Sequence, residues 1–171
     1  NIISIFGFIN VLLTGGIGIF GAKYGLSKNW FIFKESFLPL FIGSLLLLMR
    51  RYKQGSFNKI LLNDALFDNE KIGASLREEV QGDFEIIVRN AGNHFIFGLF
   101  ISSIIQFFLA SMIVVSDPGE SSFNEQVATM TWVSYLAVLV PTILIVGKGY
   151  WELIAGMEKV TGLKKEDFLK T

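Results

Sequence analysis

Three long stretches of the chain contain no charged residue, and this pattern restricts the possible folds more than any other feature. They run from Ile2 to Ala22, from Phe95 to Ser116 and from Gln126 to Gly147, which is 21, 22 and 22 residues. At a rise of about 1.5 Å per residue, a helix of such length crosses the roughly 30 Å hydrocarbon layer of a bilayer. The sequence therefore predicts membrane-spanning helices at all three positions.

The composition favours a membrane protein over a soluble domain. Of the 171 residues, 51% are hydrophobic and 17 are phenylalanine, and the mean hydropathy is +0.52. A soluble domain of this size has too small an interior to bury so much apolar surface, whereas lipid covers that surface directly. We therefore expect an all-α, polytopic integral membrane protein that forms a single membrane domain.

A fourth apolar stretch, from Trp30 to Met49, is interrupted by two charges. Only 14 uncharged residues follow Lys34 and Glu35. Because a lysine stem can reach the interface from within the membrane, the stretch is still predicted to span, which gives a bundle of four transmembrane helices. The alternative is a helix or re-entrant segment that begins near Leu38. As immediate neighbours on a helix, Lys34 and Glu35 are not expected to form an ion pair.

The distribution of basic residues predicts the orientation in the membrane. The connection 50–94 begins with Arg50, Arg51, Lys53 and Lys59, whereas the connection between the third and fourth spans has three acids and no basic residue. By the positive-inside rule, the connection 50–94 and the tail 148–171 lie on the cytoplasmic or equivalent side. Both termini are therefore expected on that side of a plasma, inner or organellar membrane.

Apolar residues recur every four positions from Ile72 to Val88, with charged residues on the other faces. This period predicts an amphipathic cytoplasmic helix between the second and third spans. Ser75 and Glu78 match a capping box, and residues 90–93 predict a helix stop before the third span. The apolar stripe is expected either to dock a partner subunit or a membrane surface, or to pack over the chain's own spans.

Small residues recur in the first predicted span although glycine lowers helix propensity. Helices in lipid associate through close backbone approach and dispersion contacts, which small residues permit. The sequence therefore predicts a helix-packing face, and the alternative is that the glycines kink the helix or expose its backbone to a permeating ligand. The predicted packing residues are Thr14, Gly15, Gly18, Gly21, Ala22 and Gly25.

Uncharged polar side chains lie within the third and fourth spans. Ser102 and Gln106 share one helix face, four residues apart, and Thr131 lies in the fourth span. Such residues usually form interhelical hydrogen bonds of about 0.6 to 2 kcal/mol each. Their alternative role is to line an uncharged polar pore.

The chain lacks the residue types of most catalytic and metal centres. It has no cysteine, and His94 is its one histidine, so we predict no catalytic residue, no metal site and no cofactor. A net charge of zero gives no field that would attract nucleic acid. We therefore expect a non-catalytic accessory or structural subunit of a larger membrane complex, in contact with lipid and other membrane subunits. The alternative is a small homo-oligomeric channel or facilitator.

Overall fold

The computed structural model describes residues 23–170 and, in the segment before them, Leu12, Gly16, Ile19 and Phe20. This part of the chain is helical and contains no β-strand, which confirms the all-α class. It includes three helices that are long and apolar enough to cross a membrane, at Lys28–Tyr52, Glu78–Ile113 and Phe123–Thr161. The predicted span at 2–22 lies mostly outside the described residues, so the bundle of four spans stays a prediction.

The described helices follow one another with short connections. A 3-10 turn at Glu78–Val80 precedes the helix that begins at Gln81, and a π-helical turn at Tyr135–Leu139 joins the helix that ends at Ser134 to the one that begins at Val140. The helices are α1 (Lys28–Tyr52), α2 (Gln54–Leu61), α3 (Asn69–Ser75), α4 (Gln81–Ile113), α5 (Phe123–Ser134), α6 (Val140–Thr161) and α7 (Lys165–Phe168).

Helix α1 contains the whole of the second predicted span. It begins at Lys28, so the alternative of a helix that begins near Leu38 is wrong. Arg50 and Arg51 lie in its last turn, where positive charge interacts favourably with the partial negative charge of a helix C-terminus.

The run from Ile72 to Val88 does not form the single amphipathic helix that its period predicts. Helix α3 ends at Ser75, and Leu76 and Arg77 have extended backbone angles before the 3-10 turn. Acidic side chains from Glu78 onward lie at the start of the next helical stretch, where unpaired backbone N–H groups favour negative charge. Ser75 therefore closes a helix, and the predicted capping box is wrong.

Residues 90–93 do not stop a helix, because they lie inside α4, which is 33 residues long. Gly92 has a packing role there, since a Cβ atom at this position would lie 2.5 Å from the ring of Phe57 on α2. The His94 Nδ1–H donates to the carbonyl of Asn90 at 3.0 Å, within the same helix. Most of the third predicted span is thus the second half of a longer helix, which ends at Ile113, three residues before the predicted end of the span.

The fourth predicted span lies within α5, the π-helical turn and α6. Pro141 has no N–H group and cannot donate to the preceding turn, and the π-helical turn ends two residues before it, at Leu139. A π-helical turn accommodates such an interruption of the helical hydrogen bonds. Helical structure continues to Thr161, well beyond the uncharged run.

Contacts divide the chain into two compact units, one of Asn1–Phe41 and Phe100–Pro141, the other of Ile42–Leu99 and Thr142–Thr171. The core of the first unit contains the rings of Phe31 and Phe123, which meet edge to face with centroids 5.6 Å apart. Apolar side chains from α1, α4, α5 and the connection after α4 complete this core, namely Ile32, Ala110, Ile113, Val114, Val127 and Met130.

Hydrogen bonds also fix the connection between α4 and α5 within the first unit. The Lys28 ammonium donates to the carbonyl of Val115 at 2.7 Å, and the Lys28 backbone N–H donates to the carboxylate of Asp117 at 2.8 Å. The side-chain oxygen of Gln126 accepts from the N–H groups of Val115 and Ser116, both at 2.9 Å. The connection is therefore held by α1 on one side and by α5 on the other.

In the second unit, the C-terminal segment 162–170 packs against the residues between α2 and α3. The Asp68 N–H donates to the carbonyl of Phe168 at 2.8 Å, and the Lys170 N–H donates to the carbonyl of Leu66 at 2.9 Å. Phe67 and Phe168 are both fully buried. Two stretches 100 residues or more apart in sequence therefore form one packed substructure.

Asp68 also caps α3. Its carboxylate accepts from the backbone N–H of Lys71 at 3.2 Å and lies 3.4 Å from the Lys71 ammonium. The backbone hydrogen bond is the largest cause that holds the pKa of Asp68 below its usual value. A lowered folded-state pKa contributes stability above the unfolded pKa, and this contribution is lost as the pH falls through the folded-state value.

Candidate functional site

The predicted packing face of the first span is described at one position. Gly25 has a positive φ of 64°, and a Cβ atom built there would meet nothing within 4 Å. It ends the helical residues Lys23 and Tyr24, as glycine often does just past a helix C-terminus. The other predicted packing residues, Thr14, Gly15, Gly18, Gly21 and Ala22, lie outside the described residues.

The predicted polar residues occupy different environments. Ser102 is 5% exposed, and its neighbour Ser103 donates to the carbonyl of Ser36 at 2.6 Å, which joins α4 to α1. Thr131 is exposed and donates to the carbonyl of Val127 in its own helix at 2.9 Å. Gln106 is half-buried, and its side chain forms no hydrogen bond with the described residues. A role in lining a pore stays a prediction.

Lys34 and Glu35 form an ion pair inside α1, and the expectation that they would not pair is wrong. The two side chains are only 8% and 18% exposed, and the Lys34 ammonium also lies 5.0 Å from the centroid of the Phe31 ring. Although adjacent positions point in different directions on a helix, two long side chains can bend toward each other. Burial favours this because an unpaired charge in a low dielectric is costly.

Close helix packing in the second unit depends on glycines that the sequence analysis did not single out. A Cβ atom on Gly149 of α6 would lie 2.6 Å from the Cβ of His94 and 3.3 Å from the carbonyl oxygen of Ala91, both on α4. A Cβ atom on Gly156 would lie 2.8 Å from the side chain of Ile87. Gly149 and Gly156 are seven residues apart and so share a helix face, which is the signal that could have found them.

We expect Gly149→Ala to lower the free energy of unfolding by about 1–3 kcal/mol, because the methyl group would overlap the rigid Cβ of His94. Gly147→Ala is the matched control, since nothing lies within 4 Å of its added Cβ. In the control, alanine should leave stability unchanged or raise it by up to about 1 kcal/mol through helix propensity. Unfolding of the purified protein in mixed detergent micelles measures both. Equal stability of the two variants would contradict the close contact.

The one histidine has a structural position in the second unit. Besides its hydrogen bond to Asn90, His94 lies against Gly149, and its Nδ1 is 3.8 Å from the carboxylate of Glu152. The same carboxylate lies 3.8 Å from the ammonium of Lys148, one turn earlier on α6. Among the described residues, no group of three or more His, Asp or Glu side chains is arranged to hold a metal ion.

A polar cleft of about 250 Å³ lies where α1, α2 and α4 meet in the second unit. The lining residues that α2 contributes lie on one face of that helix, and so do those of α4. Gln54 and Asn58 are four residues apart on α2, as are Arg89 and Asn93 on α4, so each pair shares a helix face. The lining consists of Arg50, Gln54, Phe57, Asn58, Arg89 and Asn93.

The cleft combines two positive charges with three carboxamide groups, and none of its lining residues is acidic. Arg50 donates to the side-chain oxygen of Asn93. Arg89 forms no hydrogen bond or ion pair with any described residue, although Glu85 lies one turn earlier on α4. Sequence reasoning used Arg50 only to orient the chain, because the cleft is created by the folding of α2 against Gly92 and has no local signal.

Fold and sites together define an all-helical protein whose described part contains three helices able to cross a membrane. Comparison with known proteins finds no family model that matches the chain and no similar curated protein or solved structure.

Proposed function

We propose that the protein is a non-catalytic accessory subunit of a larger membrane complex, and that its third predicted span docks against a helix of a partner subunit. The observation that carries the proposal is the side chain of Gln106. It is half-buried on α4 and has no hydrogen-bond partner among the described residues.

The position of Gln106 makes this lack of a partner costly in a membrane. Gln106 lies 11 residues after Phe95, where the apolar run of α4 begins, so it is about 16 Å into a hydrocarbon layer of roughly 30 Å. A carboxamide at that depth has no water to bond with, and leaving it unpaired costs several kcal/mol. A polar group on a partner helix would satisfy it.

The remaining chemistry of the chain supports a role in assembly. The chain has no cysteine, and its one histidine is held between Asn90 and Gly149. Outside the long apolar runs, the C-terminal segment packs against the residues that connect α2 and α3. This substructure provides an ordered surface for contact with other subunits. An exposed row of stacked rings on α1, formed by Phe33, Phe37 and Phe41, suits contact with lipid or with apolar helices.

An uncharged pore between identical protomers is the second candidate function. The half-buried side chain of Gln106 also fits it, because a pore between protomers would bring water to that carboxamide. Ser134 directly precedes the π-helical turn, a type of distortion that is frequent at functional sites. Water in such a pore would satisfy the carboxamide of Gln106.

Gln106→Leu separates the two candidates. For an accessory subunit, we expect partner subunits to be retained about 3- to 30-fold more weakly, the equivalent of one lost interhelical hydrogen bond. Purification from native membranes in mild detergent, followed by mass determination, measures this. Thr131→Val is the control, since that hydroxyl already bonds within its own helix and its loss should leave assembly unchanged.

Flux through liposomes that contain the purified protein completes the test. An accessory subunit should give no flux, and a protein that purifies as a monomer from native membranes would contradict the proposal. Flux that Gln106→Leu abolishes, while the oligomer persists, would instead establish the pore.

A further inference from the structure

We infer that the cleft between α1, α2 and α4 binds the phosphate-bearing headgroup of an anionic phospholipid. Its lining provides two guanidinium groups and the side-chain amides of Gln54, Asn58 and Asn93, without an acidic residue. Arginine recognises phosphate oxygens through paired, charge-assisted hydrogen bonds, and amide N–H groups add neutral donors. This set of donors suits an anion with several oxygen acceptors.

The donors are available for a ligand. One N–H group of Arg50 donates to Asn93, and its remaining N–H groups form no hydrogen bond with the described residues. The guanidinium of Arg89 and the side chains of Gln54 and Asn58 likewise have no partner in the described part of the chain. The contact between Arg50 and Asn93 holds one guanidinium at the cleft before a ligand arrives.

The position of the cleft along the helices indicates a lipid as the source of the phosphate. Arg50 directly follows Met49, where the apolar run of α1 ends, and Asn93 lies two residues before the apolar run of α4 begins at Phe95. Two independent borders between apolar and polar sequence therefore meet at the hydrogen bond from Arg50 to Asn93. Phospholipid headgroups lie at this level, just outside the hydrocarbon layer.

The size of the cleft restricts the ligand. Its volume of about 250 Å³ is below the roughly 300–1,000 Å³ of pockets that enclose drug-sized molecules. A phosphate with a small polar headgroup fits such a space better than a nucleotide does. The lone aromatic lining residue, Phe57, is 1% exposed and packs on Gly92, so it is poorly placed to stack with a base.

The inference is tested on the full-length protein in detergent by native mass spectrometry with phosphatidylglycerol and phosphatidylcholine of matched acyl chains. We expect phosphatidylglycerol to bind about tenfold more tightly, because its headgroup has a net negative charge, whereas the choline cation of phosphatidylcholine neutralises its phosphate and is repelled by the two guanidinium groups. The variant R50Q/R89Q should lose this preference. The control R51Q/R77Q removes the same charge from residues that do not line the cleft, and it should keep the preference.

The single variant R89Q tests lipid binding without an expected loss of folding, because Arg89 forms no internal hydrogen bond or ion pair with the described residues. It should weaken phosphatidylglycerol binding while the helical circular dichroism and melting temperature stay those of the wild type. An equal loss of lipid preference in R50Q/R89Q and in R51Q/R77Q would overturn the inference, since general surface charge would then explain the binding.

A second arm identifies the source of the phosphate by titration with inorganic phosphate. For a lipid site, phosphate at millimolar concentration should leave the melting temperature unchanged and should not displace phosphatidylglycerol. The lipid assignment is overturned if inorganic phosphate stabilises the wild type but not R89Q while the two lipids bind equally. The cleft would then be a site for a soluble phosphate compound.

Discussion

Phe168→Ala is expected to lower the free energy of unfolding by about 3–5 kcal/mol, the usual cost of removing a fully buried phenylalanine ring. The loss should be concentrated in the packing of the C-terminal segment. Helix α7 has only four residues and is far too short to be stable alone, so the buried ring is what holds it in place. Without the ring, the backbone contacts from Asp68 and Lys170 have no packed support.

Hydrogen exchange and unfolding in mixed micelles measure the effect of Phe168→Ala separately on the backbone and on the whole protein. Exchange should accelerate at Asp68 and Lys170, whose N–H groups donate across the contact. Glu166→Ala is the matched control, because this side chain is exposed on the same short helix and its ion pair with Lys165 is worth little. The control should change stability by less than about 0.5 kcal/mol. Slow exchange in Phe168→Ala would show that the segment is held by other contacts.

The positions of the apolar helices could be predicted from the sequence because hydrocarbon thickness imposes a length that composition reveals directly. The second and fourth predicted spans lie within helices of the structure that can cross a membrane, and the third does so except for its last three residues, 114–116. What the sequence pattern missed is the continuation of α4 and α6 beyond those runs. Residues 90–93 resemble a helix stop, but they are helical in the structure, where Gly92 contacts Phe57 of α2.

No local sequence pattern encodes the break in the helix after Ser75 or the cleft between α1, α2 and α4. The period from Ile72 to Val88 indicates one face of a single helix. In the structure, Leu76 and Arg77 are extended and divide this run into two helical segments. The cleft exists because α2 places Gln54 and Asn58 beside Arg89, and nothing in the spacing of these residues signals their meeting. Predictions from periodicity succeed where a helix has one environment along its length, and they fail where its environment changes.

The ion pair of Lys34 and Glu35 shows that burial can override the rule that side chains adjacent in sequence on a helix do not interact. We expect Lys34→Met to lower the free energy of unfolding by about 3–5 kcal/mol, because it leaves the Glu35 carboxylate as an uncompensated charge at 18% exposure. The double variant K34M/E35L should recover most of this loss, since apolar side chains of similar volume often replace a buried pair at no net cost.

A double-mutant cycle on unfolding in mixed micelles measures the coupling of Lys34 to Glu35 against a matched pair in the same protein. Lys148 and Glu152 are also oppositely charged helix neighbours, but their side chains are 67% and 45% exposed, and their coupling should stay below about 0.5 kcal/mol. A coupling of several kcal/mol at Lys34 and Glu35, with almost none at Lys148 and Glu152, follows if the apolar surroundings determine the strength of the pair. Equal couplings would show instead that water reaches Lys34 as readily as it reaches Lys148, and α1 would then be hydrated at a depth where its sequence predicts membrane.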